Sequence, residues 1–190
     1  FSPEAINDDV LWLARCIYSE TKRTEEQELV AWVVRNRVET EYRGETTYRG
    51  FVLDPYQFSA FNPGSRKRRF HMNLFPDANA RGWLAAMQVA HDVYYANESE
   101  RPFAITTRHF YSEQSMVGRR APNWVGGRAP VRLTNYRIDP RRFRFRRRGE
   151  VLRQIEASDA QFVGRVCARR GAFLREGADR RALRAFLLGH

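Results

Sequence analysis

The first forty residues carry a helical pattern twice. Val10, Leu13, Ala14 and Ile17 recur at three- and four-residue spacing and mark one buried stripe, which predicts a helix over residues 8 to 21 capped by Asn7 or Asp8. After a short break, "TEEQ" offers a capping box, with Thr24 as N-cap and Gln27 three positions on, and opens a second helix through "ELVAWVVRNRVET" to about residue 40. So brief a connection predicts an antiparallel or steeply crossed pair. The stripe of the first helix ends on a charge, because the next places on its face are Glu20 and Thr21.

Beyond the pair the pattern loosens. Residues 41 to 76 are rich in Gly, Pro, Tyr and Arg and predict loop, with a short helix or turn near 46 to 53. Asp77 is a candidate cap for a third long helix through "ANARGWLAAMQVAHDVYYAN", with Trp83, Met87, Ala90 and Tyr94 on one face. A short strand or hairpin is expected around 103 to 111 and an extended run at 131 to 138, and two helices between 150 and 188 break near "EGAD". The fold class expected is therefore mainly α with a small β element. Long irregular segments inside a compact domain usually build a site. Residues 1–140 are assigned to a catalytic domain and 141–190 to a basic helical extension packed on the core.

Composition adds charge to this picture. Hydrophobic residues make up 43% and aromatics 13% of 190 residues, enough for a real core. The 33 basic against 22 acidic residues leave a net charge of +11, and the only lysines are Lys22 and Lys67. Such a surface favours a polyanion: nucleic acid, an anionic membrane or a bacterial envelope polymer. Its densest runs are "SRKRR" (65–69) and "RRFRFRRR" (141–148); the second also suits a short strand with one charged and one apolar face. Cys16 and Cys167 are too few for a disulfide framework, although the two could pair outside the cytosol. No apolar run approaches the ~20 residues that span a bilayer. The chain starts without Met or a signal peptide, as a mature or trimmed form would.

Glu20 is the chemically pointed residue. A helix C-terminus presents unpaired carbonyls, and an otherwise buried face adds desolvation; both raise a carboxyl pKa. An acid still protonated near neutrality is what glycosidic cleavage requires of its proton donor. The bland alternative is a surface charge paired with Lys22, Arg23 or Arg37. No metal is expected, since His71, His91, His109 and His190 contain no i, i+4 pair, and neither a phosphate loop nor a nucleophile elbow occurs. No cofactor is indicated.

In order along the chain, "LARCIYSE", "LVAWVVRNRV", "YQFSAF", "RHFYSEQSM" and "PNW" resemble the SleB-type cell wall hydrolase family, to which the spore cortex-lytic enzymes belong. The resemblance covers roughly residues 8 to 125. It departs at the joint after Glu20, where the family's Ala-Arg-Gly is replaced by Thr21, Lys22 and Arg23, Glu26 stands before Gln27, and the turn is about two residues shorter. The resemblance implies a lysozyme-like helical domain of the goose-type or lytic-transglycosylase kind, cleaving between N-acetylmuramic acid and N-acetylglucosamine. Glu20 would first protonate the leaving oxygen. It would then draw a proton from the sugar's own 6-hydroxyl as that oxygen attacks the anomeric carbon, leaving a 1,6-anhydro end.

One carboxyl suffices for that scheme, whereas a hydrolase would use a second, for which Asp54, Glu45 and Glu113 are the candidates. Candidate substrate-binding residues are Gln57 and Ser59 for polar groups, Tyr56 or Phe58 for ring stacking, and His109 and Tyr111 in "HFY". Asn36 is a further candidate that could merely cap its helix. The partner expected is the peptidoglycan strand, met by a monomer in the cell envelope, periplasm or exterior, or delivered to the wall by a phage-like particle. Two rivals stand beside this reading: a basic nucleic-acid-binding protein and a non-catalytic wall-binding domain of the same fold.

Overall fold

The computed structural model describes residues 6–114, 120, 122, 125, 126, 128–133, 135–139 and 141–148. They belong to the first of two compact units, Phe1–Arg148; the second, Gly149–His190, lies outside the described residues, and with it the helices expected between 150 and 188 and Cys167.

Helix α1 spans Asp8–Glu20 and α2 spans Thr24–Glu39. The side chain of Asn7 accepts from the Asp9 N–H and caps α1, with Asp8 and Asp9 adding favourable charge in its first turn. The expected capping box of α2 does not form: Arg23 holds the N-cap position without a side-chain cap. The polar groups there turn back across the joint instead. Gln27 Nε2 donates to the Thr21 carbonyl (2.9 Å), and the Thr21 hydroxyl donates to the carboxylate of Glu26, which is 1% exposed.

Helix α3 (Tyr48–Leu53) falls where a short helix was expected, and α4 (Arg68–Met72) adds one turn. Helix α5 runs Trp83–Tyr95, later than a start at Asp77 would give. Gly82 immediately before it has φ 77°, which a helix cannot continue through, and residues 77 to 82 are turn and irregular chain. Helix α5 packs on both α1 and α2, and Trp32, Trp83, Phe51, Phe58 and Phe61 fill the space between helices and loops.

Among the described residues there are three strands, β1 (Thr107–Tyr111), β2 (Arg128–Pro130) and β3 (Arg144–Arg148). Their spatial order is β1-β3-β2, with both pairings antiparallel and Phe110 opposite Phe145. Residues 131–138 hold no strand among those described; after β2 the Val131 N–H makes one further bond to the Phe145 carbonyl (3.1 Å). Residues 141–148, assigned from sequence to a helical extension, thus end in the central strand of the first unit. The Phe/Arg alternation explains it, since Phe143 and Phe145 are buried beside Phe110 and Phe103 while Arg144 and Arg146 point the other way.

The fold class is mainly α with a small sheet, in keeping with a lysozyme-like domain. Truncating Phe58, 2% exposed and edge-on to Phe51 at 5.8 Å, should remove about 3–5 kcal/mol of stability. Urea unfolding of Phe58→Ala checks this through a lowered midpoint at unchanged slope.

Candidate active site

Helix α1 ends at Glu20, and the chain past it turns away in extended conformation at Thr21. The Glu20 carboxyl is thereby delivered to the floor of a cavity of about 780 Å³. The opposite wall comes from the end of β1 and the segment leading into β3, through Phe110, Tyr111, Ser112, Gln114, Arg142 and Phe143. The loop after α3 supplies Tyr56, Gln57, Ser59 and Asn62, and α2 supplies Arg37. The volume lies within the ~300–1,000 Å³ of ordinary ligand clefts. Aromatic rings alternate with amide, hydroxyl and guanidinium groups around it, the surface chemistry that a carbohydrate with its C–H faces and hydroxyl edges requires.

Glu20 is the only acidic residue lining the cavity among the described residues. Burial pushes its carboxyl up to about 7, although Arg37, Lys67 and the Ser19 hydroxyl pull the other way. Desolvation therefore outweighs two nearby cations. Neither neighbour in sequence neutralises it: Lys22 folds back over the Tyr18 ring and donates to the Tyr18 carbonyl, and Arg23 serves as the backbone start of α2. Burial lowers the Lys22 ammonium to about 8, with Lys67 adding to the effect.

The alternative carboxylates are occupied elsewhere. Asp54 pairs with Arg43 (2.6 Å) and Glu113 with Arg144 (2.9 Å), and neither they nor Glu45 line the cavity. Glu26 approaches from behind, where its bond to Arg142 (2.8 Å) fixes a guanidinium in the wall.

The cavity brings together Tyr56, Gln57, Ser59 and Tyr111 with Glu20, and leaves out the other sequence candidates. Tyr56 stands 86% exposed at the rim with φ 67°, its backbone N–H held by the Asn62 side chain (2.8 Å). Phe58 is core. Asn36 is fully buried: its amide donates to the carbonyls of Thr107 (2.9 Å) and Ala104 (3.3 Å) and accepts from Arg101, so it anchors β1 and does not line the cleft. His109 faces Tyr42 (3.1 Å) and Arg128 (3.2 Å) outside the cavity. Burial foremost, then Arg37, Arg128 and Arg108, lowers its imidazole to about 3, which leaves it neutral. Missing from the sequence reading were Ser19, Asn62, Ser112, Gln114, Arg142 and Phe143. The first four carry no pattern of their own; Arg142 and Phe143 stood in a run read for its charge and as a possible strand.

A family model described as Cell Wall Hydrolase matches residues 21–138. The chain belongs to the cell wall hydrolase family, which makes it an enzyme acting on the peptidoglycan of the wall or envelope. The matched span contains Arg37, Gln57, Ser59 and Tyr111; Glu20 lies one position before it, and Arg142 with β3 lies after it. Comparison with curated proteins and with solved structures gives no match.

A carboxyl titrating near 7 in the fold, against the usual 4.5, binds its proton more tightly folded than unfolded between those values. Stability contributed by Glu20 is thus lost as pH rises from about 4.5 to about 7. Glu20→Gln, which cannot ionise, should match the wild type at pH 4 and exceed it at pH 8 by roughly 1–3 kcal/mol, measured by urea unfolding at both pH values. Lys67→Met removes a cation that favours the carboxylate, and should move the Glu20 carboxyl midpoint upward in an NMR titration.

Proposed function

We propose that this enzyme is a lytic transglycosylase that cleaves the bond between N-acetylmuramic acid and N-acetylglucosamine with Glu20 as its single acid and base. The observation that carries the reading is a cleft with one carboxyl, protonated near neutrality, and no second acid on its wall among the described residues. An ordinary hydrolase would place a second carboxylate about 5–10 Å away to attack or to activate water. Asp54 and Glu113 are each committed to an arginine. The order of "YQFSAF", "HFY" and the Asn-Arg-Val helix end, shared with the spore cortex-lytic type, supports the same assignment.

In this scheme the Glu20 carboxyl gives its proton to the glycosidic oxygen as the C1–O bond breaks. The resulting carboxylate takes the proton of the muramyl 6-hydroxyl as its oxygen bonds to C1. Atoms balance without water, because the proton taken from the 6-hydroxyl restores the acid that protonating the leaving oxygen had spent. Arg37 and Lys67 stabilise the carboxylate between the two steps. Tyr56 offers a ring face at the rim, while Gln57 and Ser59 offer hydrogen bonds to hydroxyl and acetamido groups.

Digestion of purified peptidoglycan followed by mass spectrometry tests this. Ends 18 Da lighter than reducing ends, about one water, support transglycosylation, whereas reducing ends would make the enzyme a muramidase of the same fold. No release, with tight salt-dependent DNA binding, would return it to the nucleic-acid class. Glu20→Gln should lower the rate by at least about a thousandfold while keeping the fold. The wild-type rate should fall as pH rises through about 7, where the acid loses its proton.

A further inference from the structure

Among the described residues, two guanidinium groups stand in the cavity wall. Arg37 is 6% exposed and committed to the Arg108 carbonyl of β1. Arg142 differs, because its side chain is 33% exposed and its partner lies behind the wall. Its Nε donates to one oxygen of the Glu26 carboxylate (2.8 Å) and its Nη2 to the other (3.4 Å), while Glu26 itself does not line the cavity. The backbone is fixed as well. The Asp139 carbonyl accepts from the Arg142 N–H (2.9 Å), and the Asp139 side chain accepts from the Arg141 N–H (2.8 Å) and the Gln114 amide (3.1 Å). Glu26 is held in turn by the Thr21 hydroxyl, one residue past the acid. A donor anchored at both ends meets a ligand without having to be ordered by it.

An arginine has five N–H donors and no acceptor. The Glu26 carboxylate takes one from Nε and one from Nη2, so the rest stay on the edge turned away from it. Paired at 2.8 Å, the guanidinium is half of a neutral couple, and a second anion brought to it would leave one charge unbalanced. Its natural ligand is therefore a neutral acceptor. The same wall is apolar at Phe110 and Phe143, whose ring centroids lie 5.7 Å apart. Donors next to aromatic rings match a group that has a carbonyl oxygen and a methyl, as an acetamido group does. We propose that the free edge of Arg142, held by Glu26, donates to an acetamido carbonyl of the bound strand, so that the enzyme recognises N-acetylated sugars through this residue. The inference rests on the peptidoglycan reading given above, in which every sugar of the strand carries such a group. Arg142 lies after residues 21–138, so the family assignment itself does not supply this contact. The amide that joins a peptide to the muramyl unit offers a similar carbonyl, and a peptide-free probe separates the two.

Peptide-free tetramers of N-acetylglucosamine and of glucosamine are the probes, titrated calorimetrically into Glu20→Gln, which holds ligand without turnover. Glu20→Gln/Arg142→Lys keeps the charge facing Glu26 but lacks the second edge of the guanidinium fork. It should bind the acetylated tetramer about tenfold more weakly than Glu20→Gln does, the effect of one charge-assisted hydrogen bond, and the glucosamine tetramer less than about twofold more weakly. Because the charge is conserved, repulsion of the glucosamine ammonium groups cancels in this comparison. Adding Glu26→Gln/Arg142→Met to Glu20→Gln removes both charges together, leaves no buried carboxylate unpaired, and should reproduce the selective loss. Failure of Glu20→Gln to bind the acetylated tetramer at millimolar concentration overturns the proposal. So do equal losses on both tetramers, the pattern of general damage to the cleft. Unchanged affinity for the acetylated tetramer in the Arg142→Lys background overturns it too; a KM on intact peptidoglycan that rises all the same in Arg142→Lys then assigns the donor to the peptide-bearing amide. If the wild type releases nothing from peptidoglycan while the tetramers show the selective loss, the peptidoglycan reading fails and the acetamido contact stands.

Discussion

Arg37 is where the parts of the cleft are tied together. It projects from the last turn of α2, donates to the Arg108 carbonyl of β1, and lies over the rings of Phe51 (5.0 Å), Tyr42 (5.7 Å) and Phe58 (5.9 Å). It also sends its field to Glu20. One buried guanidinium therefore connects the helix pair, the aromatic loop, the strand that carries Tyr111 and the acid. Burial lowers its pKa to about 10, which still leaves it charged at neutral pH. Asn36 next to it binds two more carbonyls of the same chain segment, so α2 clamps the approach to β1 at three points.

This clamp gives a physical meaning to the Asn-Arg-Val ending that the sequence reading singled out. Asn36 was a candidate for the cleft and proves to be the strand's anchor, while Arg37, weighed only as a possible partner for Glu20, reaches the cavity wall. Polar residues at the end of an apolar helix serve either purpose, and the pattern of one chain cannot tell which carbonyls they meet. The same ambiguity ran through "YQFSAF". Alternation demanded that its rings point different ways, and the structure sends Phe58 inward and leaves Tyr56 at the rim.

The elements governed by local rules were the legible ones. Stripes at helical spacing located α1, α2 and most of α5, and Asn7 caps as its chemistry dictates. Glu20 stood out because an acid on a buried stripe is a local contradiction, and contradictions between pattern and residue type mark sites. What depended on distant partners was hidden. The joint at Thr21 uses Glu26 and Gln27 in a way no capping rule anticipates, since Glu26 is also bound by Arg142 from the far end of the unit. The run at 141–148 could be read as a short strand with one apolar face, but the partner strands between which it lies could not be read from it.

The order of the strands has a temporal side. β3 is the last of the three in the chain yet sits between the other two, so neither β1 nor β2 has a sheet neighbour until residue 148 exists. Arg142 and Phe143, which close the cavity opposite Glu20, arrive with the same stretch. While the polypeptide is still being synthesised, α1 and α2 can pair and bury their stripes, but the acid faces an open groove with one wall missing. A cavity built this way is closed only when its last segment has been made. A fragment ending before residue 141 would keep the acid and lose the enclosure.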